Sequence, residues 1–459
     1  RIATISLGIG LLICTIFSNT AGVLLVIFWV FFVLLLALNI PEIRRNYIST
    51  QVLKFYKSVL PKISQTEQEA IDAGSVWWDG EIFSGNPEWD ILRKNPKPKF
   101  SKEEQAFLDG PVNEVCEMTN EWEASHINHD LPQEVWDFVK AKGFFGMIIP
   151  KKYGGLEFSP LAVASVMSKI ISRSGHLNSI IGVPNSLGPA ELLLHYGTPE
   201  QRNDLLPKLA SGEEIPCFAL TGPHAGSDAA AMPDTGIICK GKFEGKEIIG
   251  MKLNFNKRYI TLAPVATLVG LAFKLYDPDH LLGEKKEYGI TCALIPSKTK
   301  GLEIGRRHLP PGVPFMNGTI IGKDIFVPLD YIIGGTEQAG KGWRMLVECL
   351  SAGRAISLPS GAMGGAKTGA WVTGAYTRVR EQFNVPIAEF EGIAEPLGRI
   401  AGNTYIITAS LNTTAMAIGA GEKPAVISAI MKYHATELAR KVSRDAMDIH
   451  GGKAVMLGP

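Results

Sequence analysis

Charge is missing from the start of this chain: between Ile2 and Pro41 there is no acidic or basic side chain. An uncharged stretch of that length does not suit a solvated surface segment. The sequence also lacks a CxxC pair and histidines at metal-ligand spacing, so neither a zinc site nor a disulfide framework is expected. Its six cysteines, Cys14, Cys116, Cys217, Cys239, Cys292 and Cys349, lie far apart and read as reduced, mostly buried thiols, with no metal. A strong net charge is absent as well. At +1 over 459 residues, with Lys and Arg interspersed among Asp and Glu, there is no basic stripe for a nucleic-acid partner.

What the N-terminus does contain is apolar. "AGVLLVIFWVFFVLLLALNI" (21–40) reaches the roughly 20 residues that cross a bilayer as a helix. "IATISLGIGLLICTIF" precedes it across the turn-like "SNTAG", so residues 1–41 are expected to form one or two transmembrane helices. A signal peptide is the competing reading, but the apolar stretch exceeds an h-region of roughly 7–15 residues. Residues 42–100 come next as a juxtamembrane linker. Its opening, "PEIRRNYISTQVLKFYKSVLPKIS", carries Arg44, Arg45, Lys54, Lys57 and Lys62, which places it on the cytoplasmic side of a cell membrane. The aromatics and lysines there suit either a helix at the headgroup surface or a solvated linker.

"NPKPKFSKEEQ" marks a boundary near residue 100, with Ser101 followed three residues later by Glu104 as a helix cap. Apolar residues then recur at three- and four-residue spacing to Glu214, predicting a helical domain over 101–214. From Ile215 to Gly335 short runs rich in β-branched and aromatic residues, punctuated by Gly and Pro, predict an antiparallel β domain. Residues 336–459 return to helical spacing, rich in Ala, Gly and Ser, as in a closely packed bundle. The fold class is α+β, in the order helices, sheet, helices.

Four blocks narrow the function. "IIPKKYGGLEFSPLAVASVMSKI", "NSLGPAELLLHYGTPEQRNDLLPKLASGEEIPCFALTGPHAGSDAAAM", "KRYITLAPVA" and "DAMDIHGGKA" resemble, in order and spacing, the signatures of the acyl-CoA dehydrogenase family over about residues 101–459. The apolar N-terminus and "TEQEAIDAGSVWWDGEIFSGNPEWDIL" resemble the enlarged bacterial FadE type. The resemblance implies an acyl-CoA dehydrogenase-like fold and FAD-dependent α,β-dehydrogenation of saturated fatty acyl-CoA to trans-2-enoyl-CoA, the first step of β-oxidation. It also implies a homo-oligomer that passes electrons to an electron-transfer flavoprotein or a quinone pathway. An acyl-CoA oxidase, and a membrane-anchored flavoprotein without catalysis, are the alternatives.

The same resemblance supplies residue roles. Phe218, Leu220, Thr221, Gly226 and Ser227 of the "FALTGPHAGSD" loop border the flavin, with Ser227 also near the acyl-CoA. The family most often has Glu where this chain has Gly222, a change expected to loosen the loop. Tyr259, Ile260 and Thr261 of "KRYIT" border the ring, with Tyr replacing the usual Trp. Arg380 and Phe383 of "VREQF" reach the cofactor of a neighbouring subunit, and Gly451 and Gly452 of "DIHGGKA" admit its dinucleotide portion. Arg354 and Ser351 hold the acyl-CoA. The catalytic glutamate is expected beyond Pro459, since the alternative position before Arg354 is Gly353. Glu348 sits on another face of the same helix, and His450 reads as structural.

Overall fold

The computed structural model describes residues 2–17, 22–61, 63–64, 68–69, 72, 74–94, 97–186, 188–310 and 313–458, the side chains of 350–352 excepted. The chain divides into two units, Arg1–Ser64 and Gln65–Pro459.

In the first unit, α1 (Ile2–Phe17) and α2 (Gly22–Leu38) form an antiparallel hairpin. Trp29 Nε1 donates to Thr15 Oγ1 at 3.0 Å, and Asn39 Nδ2 donates to Thr4 Oγ1 at 3.0 Å. Gly8 lets the helices close, because a Cβ there would lie 2.7 Å from the Phe32 ring. The "SNTAG" turn falls mostly on residues 18–21, outside the described residues. The expectation of full transmembrane helices is not met by any single helix: among the described residues none is long and apolar enough to cross a membrane, and α2 passes that measure only together with the segment Pro41–Val59, from which it is bent. Helix α2 stops after 17 residues because Ile40, preceding Pro41, is extended (φ −84°, ψ 113°), as the clash with a following proline ring requires. The chain then re-enters helix, through a π-helical turn at Arg44–Ser49, to reach α3 (Thr50–Val59). The segment Pro41–Val59 runs at 86° to α2.

The second unit opens with helices. α4 (Lys102–Asp109) begins with the capping box that the sequence predicts, Glu104 N donating to Ser101 Oγ at 3.1 Å and Ser101 N to Glu104 Oε2 at 2.7 Å. α5 (Pro111–Met118), α6 (Gln133–Ala141), α7 (Pro160–Ile171), α8 (Gly175–Gly182), α9 (Pro189–Tyr196) and α10 (Pro199–Ser211) complete the layer. Their apolar faces meet in a core that includes Val115, Val135, Phe144, Ile170 and Ile180.

Seven strands come next: β1 (Pro216–Ala219), β2 (Thr235–Phe243), β3 (Lys246–Thr261), β4 (Leu268–Tyr276), β5 (Glu287–Pro296), β6 (Leu302–His308) and β7 (Asn317–Pro328). Their order is β1-β4-β2-β3-β7-β6, with β5 also on β4. The sheet is mixed, which corrects the antiparallel expectation. β4 pairs parallel with both β1 and β2, while β2–β3, β3–β7, β6–β7 and β4–β5 are antiparallel. The long excursion through β2 and β3 supplies the crossover that a parallel neighbour requires.

Three long helices close the chain: α11 (Gly342–Val379), α12 (Glu391–Gly419) and α13 (Ala425–His450). A fork from Arg399 joins α12 to α13, with Nε and Nη2 each 3.1 Å from the buried Asp445 carboxylate.

Candidate active site

The site is assembled where β3 ends beside the loop after β1. Lys257, fully buried, donates from Nζ to Asp234 Oδ2 at 2.6 Å and to the Leu220 carbonyl at 2.9 Å. Asp234 Oδ1 also accepts from Asn256 N at 2.8 Å, and Arg258 N donates to the Thr221 carbonyl at 3.0 Å. Burial pulls the Lys257 ammonium below the ordinary lysine range, against the opposing pull of Asp234. Two of these four bonds tie the Leu220–Thr221 backbone to β3, and the other two hold Asp234 to it. A further bond, Gly222 N to the Ala225 carbonyl at 3.1 Å, closes the loop on itself. The glycine at 222 therefore sits in a tied turn, and a Cβ there would lie 3.0 Å from the Asn256 carbonyl.

One residue beyond Arg258 the strand bulges. The β3–β7 register slips between Lys257 and Ile260, and Tyr259 takes φ +61°, a left-handed conformation that is costly for an aromatic residue. Its ring is 57% exposed, flanked by the Arg258 guanidinium at 5.0 Å and the His308 ring at 5.1 Å. Strain of this kind collects at functional sites. The bulge also re-aims the last two residues of the strand: Ile260 is buried in the core, and Thr261 emerges at the rim of a cleft.

That cleft, of about 280 Å³, is lined by Thr261, Asn178, Ser186, Phe315, Arg354 and Leu358, among others. The Asn178 amide oxygen is buried there without a hydrogen-bond partner. A second cavity of about 190 Å³ shares Ser186, Gly353 and Ser357 with it and continues among Ile148, Phe158, Val163 and Ile356. Together they make a slot between the N-terminal helices and α11, largely apolar beside Thr261 and Arg354 and of mixed polarity in the second cavity, which also takes in Asn185 and Glu191.

The predicted residues thus fall into two groups. Leu220, Thr221, Tyr259 and Thr261 come together at the end of β3, Thr261 and Arg354 face one cleft, and Gly226 and Ser227 lie exposed on the adjoining loop. The Phe218 ring is turned into the core over Gly270. Ser351 lies on α11, but its side chain is outside the described residues. The second group is at the far end of α11. Arg380 immediately precedes a hairpin between β8 (Glu381–Gln382) and β9 (Val385–Pro386), whose two turn residues Phe383 and Asn384 have φ +54° and +65°. His450 stacks on Tyr376, ring centroids 4.2 Å apart, just before Gly451, whose φ of +59° favours glycine. From Arg354 to Tyr376 there is about 33 Å of helix at the usual rise per residue.

Glu348 is engaged elsewhere. It accepts from the Tyr196 hydroxyl and from Arg344 Nε at 2.9 Å. Burial would raise its carboxyl, but these bonds outweigh that and hold it below the ordinary glutamate range. His450 is pulled down by burial and by nearby Lys453. Its contribution to stability is therefore present above the unfolded value of about 6.5 and is lost as pH falls through the lower native value. Thermal unfolding below that pH should show this loss, and His450→Phe, which keeps the ring stack, should flatten it. Sequence reasoning missed Asp234, Asn178 and Ser186, none of which carries a spacing signal.

The comparisons agree with this geometry. Family models for the acyl-CoA dehydrogenase N-terminal, middle and C-terminal domains match residues 101–213, 217–325 and 340–459. A 3-(aryl)acrylate reductase of Clostridium sporogenes is 32% identical over 70% of this chain and 81% of its own. The chain belongs to the acyl-CoA dehydrogenase family. A protein named HemX from Proteus mirabilis is 64% identical over 104 residues, which is 23% of this chain and 61% of that protein. The fold matches an acyl-CoA dehydrogenase complexed with FAD from Bacillus anthracis at a TM-score of 0.68 and 23% identity, over 80% of this chain and 62% of that one. The chain therefore spans under two thirds of the length of both of these last two proteins.

Proposed function

We propose that this protein oxidises saturated fatty acyl-CoA to trans-2-enoyl-CoA at the slot between β3 and α11, held at the cytoplasmic face of a cell membrane by its first unit. The observation that carries the reading is that Thr261 and Arg354 face one cleft whose wall is otherwise largely apolar, with Met167, Val183, Phe315 and Leu358. A thioester beside Thr261 and Arg354 with its alkyl chain against those apolar side chains matches that lining.

The residues present fit FAD: the exposed Tyr259 ring offers a flat face, and the hydroxyls of Thr221, Ser227 and Thr261 offer a polar rim. Phe218, Leu220, Gly226 and Ile260 contribute backbone to the same wall. When bound, FAD supplies the acceptor for the hydride leaving the β-carbon. Arg354 and Ser351 hold the CoA ester, while Asn178 offers an unmet acceptor to an N–H or O–H of the ligand. The α-proton becomes acidic only if donors stabilise charge on the thioester oxygen. Arg380 and Phe383 follow the C-terminus of α11, and Gly451 and Gly452 follow His450, which stacks on Tyr376 near that end; this position, remote from Arg354, supports a homo-oligomer in which they hold the cofactor of a neighbouring copy. Electrons then leave to an electron-transfer flavoprotein or a quinone pathway.

Purified protein should show a visible flavin spectrum that bleaches when saturated acyl-CoA is added without air. Peroxide formed in step with turnover under air would replace this reading with an oxidase, and absence of flavin would remove it. Bleaching by a reduced nicotinamide and recolouring on addition of an enoyl or acrylate acceptor, with no bleaching by acyl-CoA, would favour the reductive direction.

A further inference from the structure

We propose that α3 is an anionic-lipid sensor, a helix lying flat in the headgroup layer beside the membrane-inserted α1–α2 hairpin; this rests on the membrane reading above. Val52, Phe55, Tyr56 and Val59 recur at the spacing of one helix face, and all four are exposed, at 47, 64, 58 and 63%. Lys54 and Lys57 project from the opposite side, about 100° per residue around the helix. Arg44 and Arg45 precede them in the π-helical turn, and Glu42 is the one acidic residue between 41 and 60. A bare apolar face that includes Tyr56, backed by cations, matches the lipid–water interface.

The geometry of the unit supplies the orientation. The Thr4–Asn39 bond places the start of α1 and the end of α2 at the same end of the hairpin. The exposed side chains around the hairpin are apolar, with Ile5, Ile16, Val26 and Leu34 each about 60% exposed. With the hairpin axis along the bilayer normal, the 86° bend lays α3 in the membrane plane at the level where the hairpin ends. Its apolar face then enters the acyl boundary, and its lysines reach up to the phosphates. Each lysine near a negatively charged leaflet contributes about fivefold to docking, so the pair contributes roughly thirtyfold.

The test is hydrogen exchange on the full chain reconstituted into phosphatidylcholine vesicles with or without phosphatidylglycerol. Amides of residues 50–59 should exchange more slowly in the anionic vesicles, while those of α1 and α2 are protected equally in both. Lys54→Gln with Lys57→Gln should erase roughly thirtyfold of that extra protection without changing α1 and α2, and the double arginine variant should restore it. Equal exchange of residues 50–59 in both vesicles, or slow exchange there without lipid through contact with a second copy, overturns the proposal. Fast exchange of α1 and α2 in both vesicles would instead overturn the membrane reading on which it rests.

Discussion

Replacing Lys257 with methionine costs about 3–5 kcal/mol of stability. The reason is the company Lys257 keeps: its ammonium and the Asp234 carboxylate are both shielded from water, 2.6 Å apart. Removing the lysine strands a buried carboxylate that no solvent reaches. Asp234 would still accept from Asn256 N, but that bond alone does not neutralise it. Denaturant titration of the β domain reads the loss. The double variant Lys257→Met with Asp234→Leu should recover most of it, because a buried pair replaced by apolar groups of similar size is often neutral. Flavin affinity should not recover with it, since the Leu220 carbonyl has lost its anchor and the loop bearing Thr221 is free to shift. A single variant within about 1 kcal/mol of the parent would sink this account of the loop.

Introducing a carboxylate at Gly353 should raise α-proton exchange of bound acyl-CoA by about 10²–10⁴-fold, the usual contribution of a positioned general base. Among the described residues, no carboxylate lines the cleft shared by Thr261 and Arg354, and Glu191 in the adjoining cavity is paired with His195 Nε2 at 3.2 Å. Gly353 borders both that cleft and the inner cavity, and a Cβ added there meets nothing closer than Ser186 Cβ at 3.6 Å. Ordinary contact of that kind tolerates a side chain, and glutamate in a helix interior is favoured over glycine by propensity. Deuterium entering the α-carbon from heavy water, followed by NMR, reads the proton step without relying on turnover. Gly353→Gln has the same bulk and no base, so equal exchange in the two variants would refute the assignment of this slot as the thioester site.

The order of helices, sheet and helices was legible because hydrophobic periodicity changes at Ile215 and again after Gly335. The Ser101 cap was legible for the same local reason. Pairing across long loops was not: nothing in the β4 sequence distinguishes a parallel neighbour from an antiparallel one, since both bury the same apolar side chains. The site shows the same division. "KRYIT" and "FALTG" stand out as short blocks, yet the Lys257–Leu220 bond that joins them spans 37 positions, and the Asp234 that pairs with Lys257 lies in neither, with no periodic signal. Phe218 and Ile260, quoted in those blocks, turn their side chains into the core, because alternation along a strand sends neighbours to opposite faces. At the N-terminus a count of apolar residues overran the real helix, because a single proline at position 41 decided where α2 ends.

The 38 residues of α11 run as one helix between two working ends, its hydrogen-bond ladder missing a rung at Pro359. At about 100° per residue, Arg354 and Tyr376 come round to within about 40° of the same azimuth. The cleft end and the hairpin end are consequently locked in phase. Losing a single residue between them would swing one end about 100° out of alignment with the other, whereas removing five whole turns, about 18 residues, would preserve the phase and only shorten the reach.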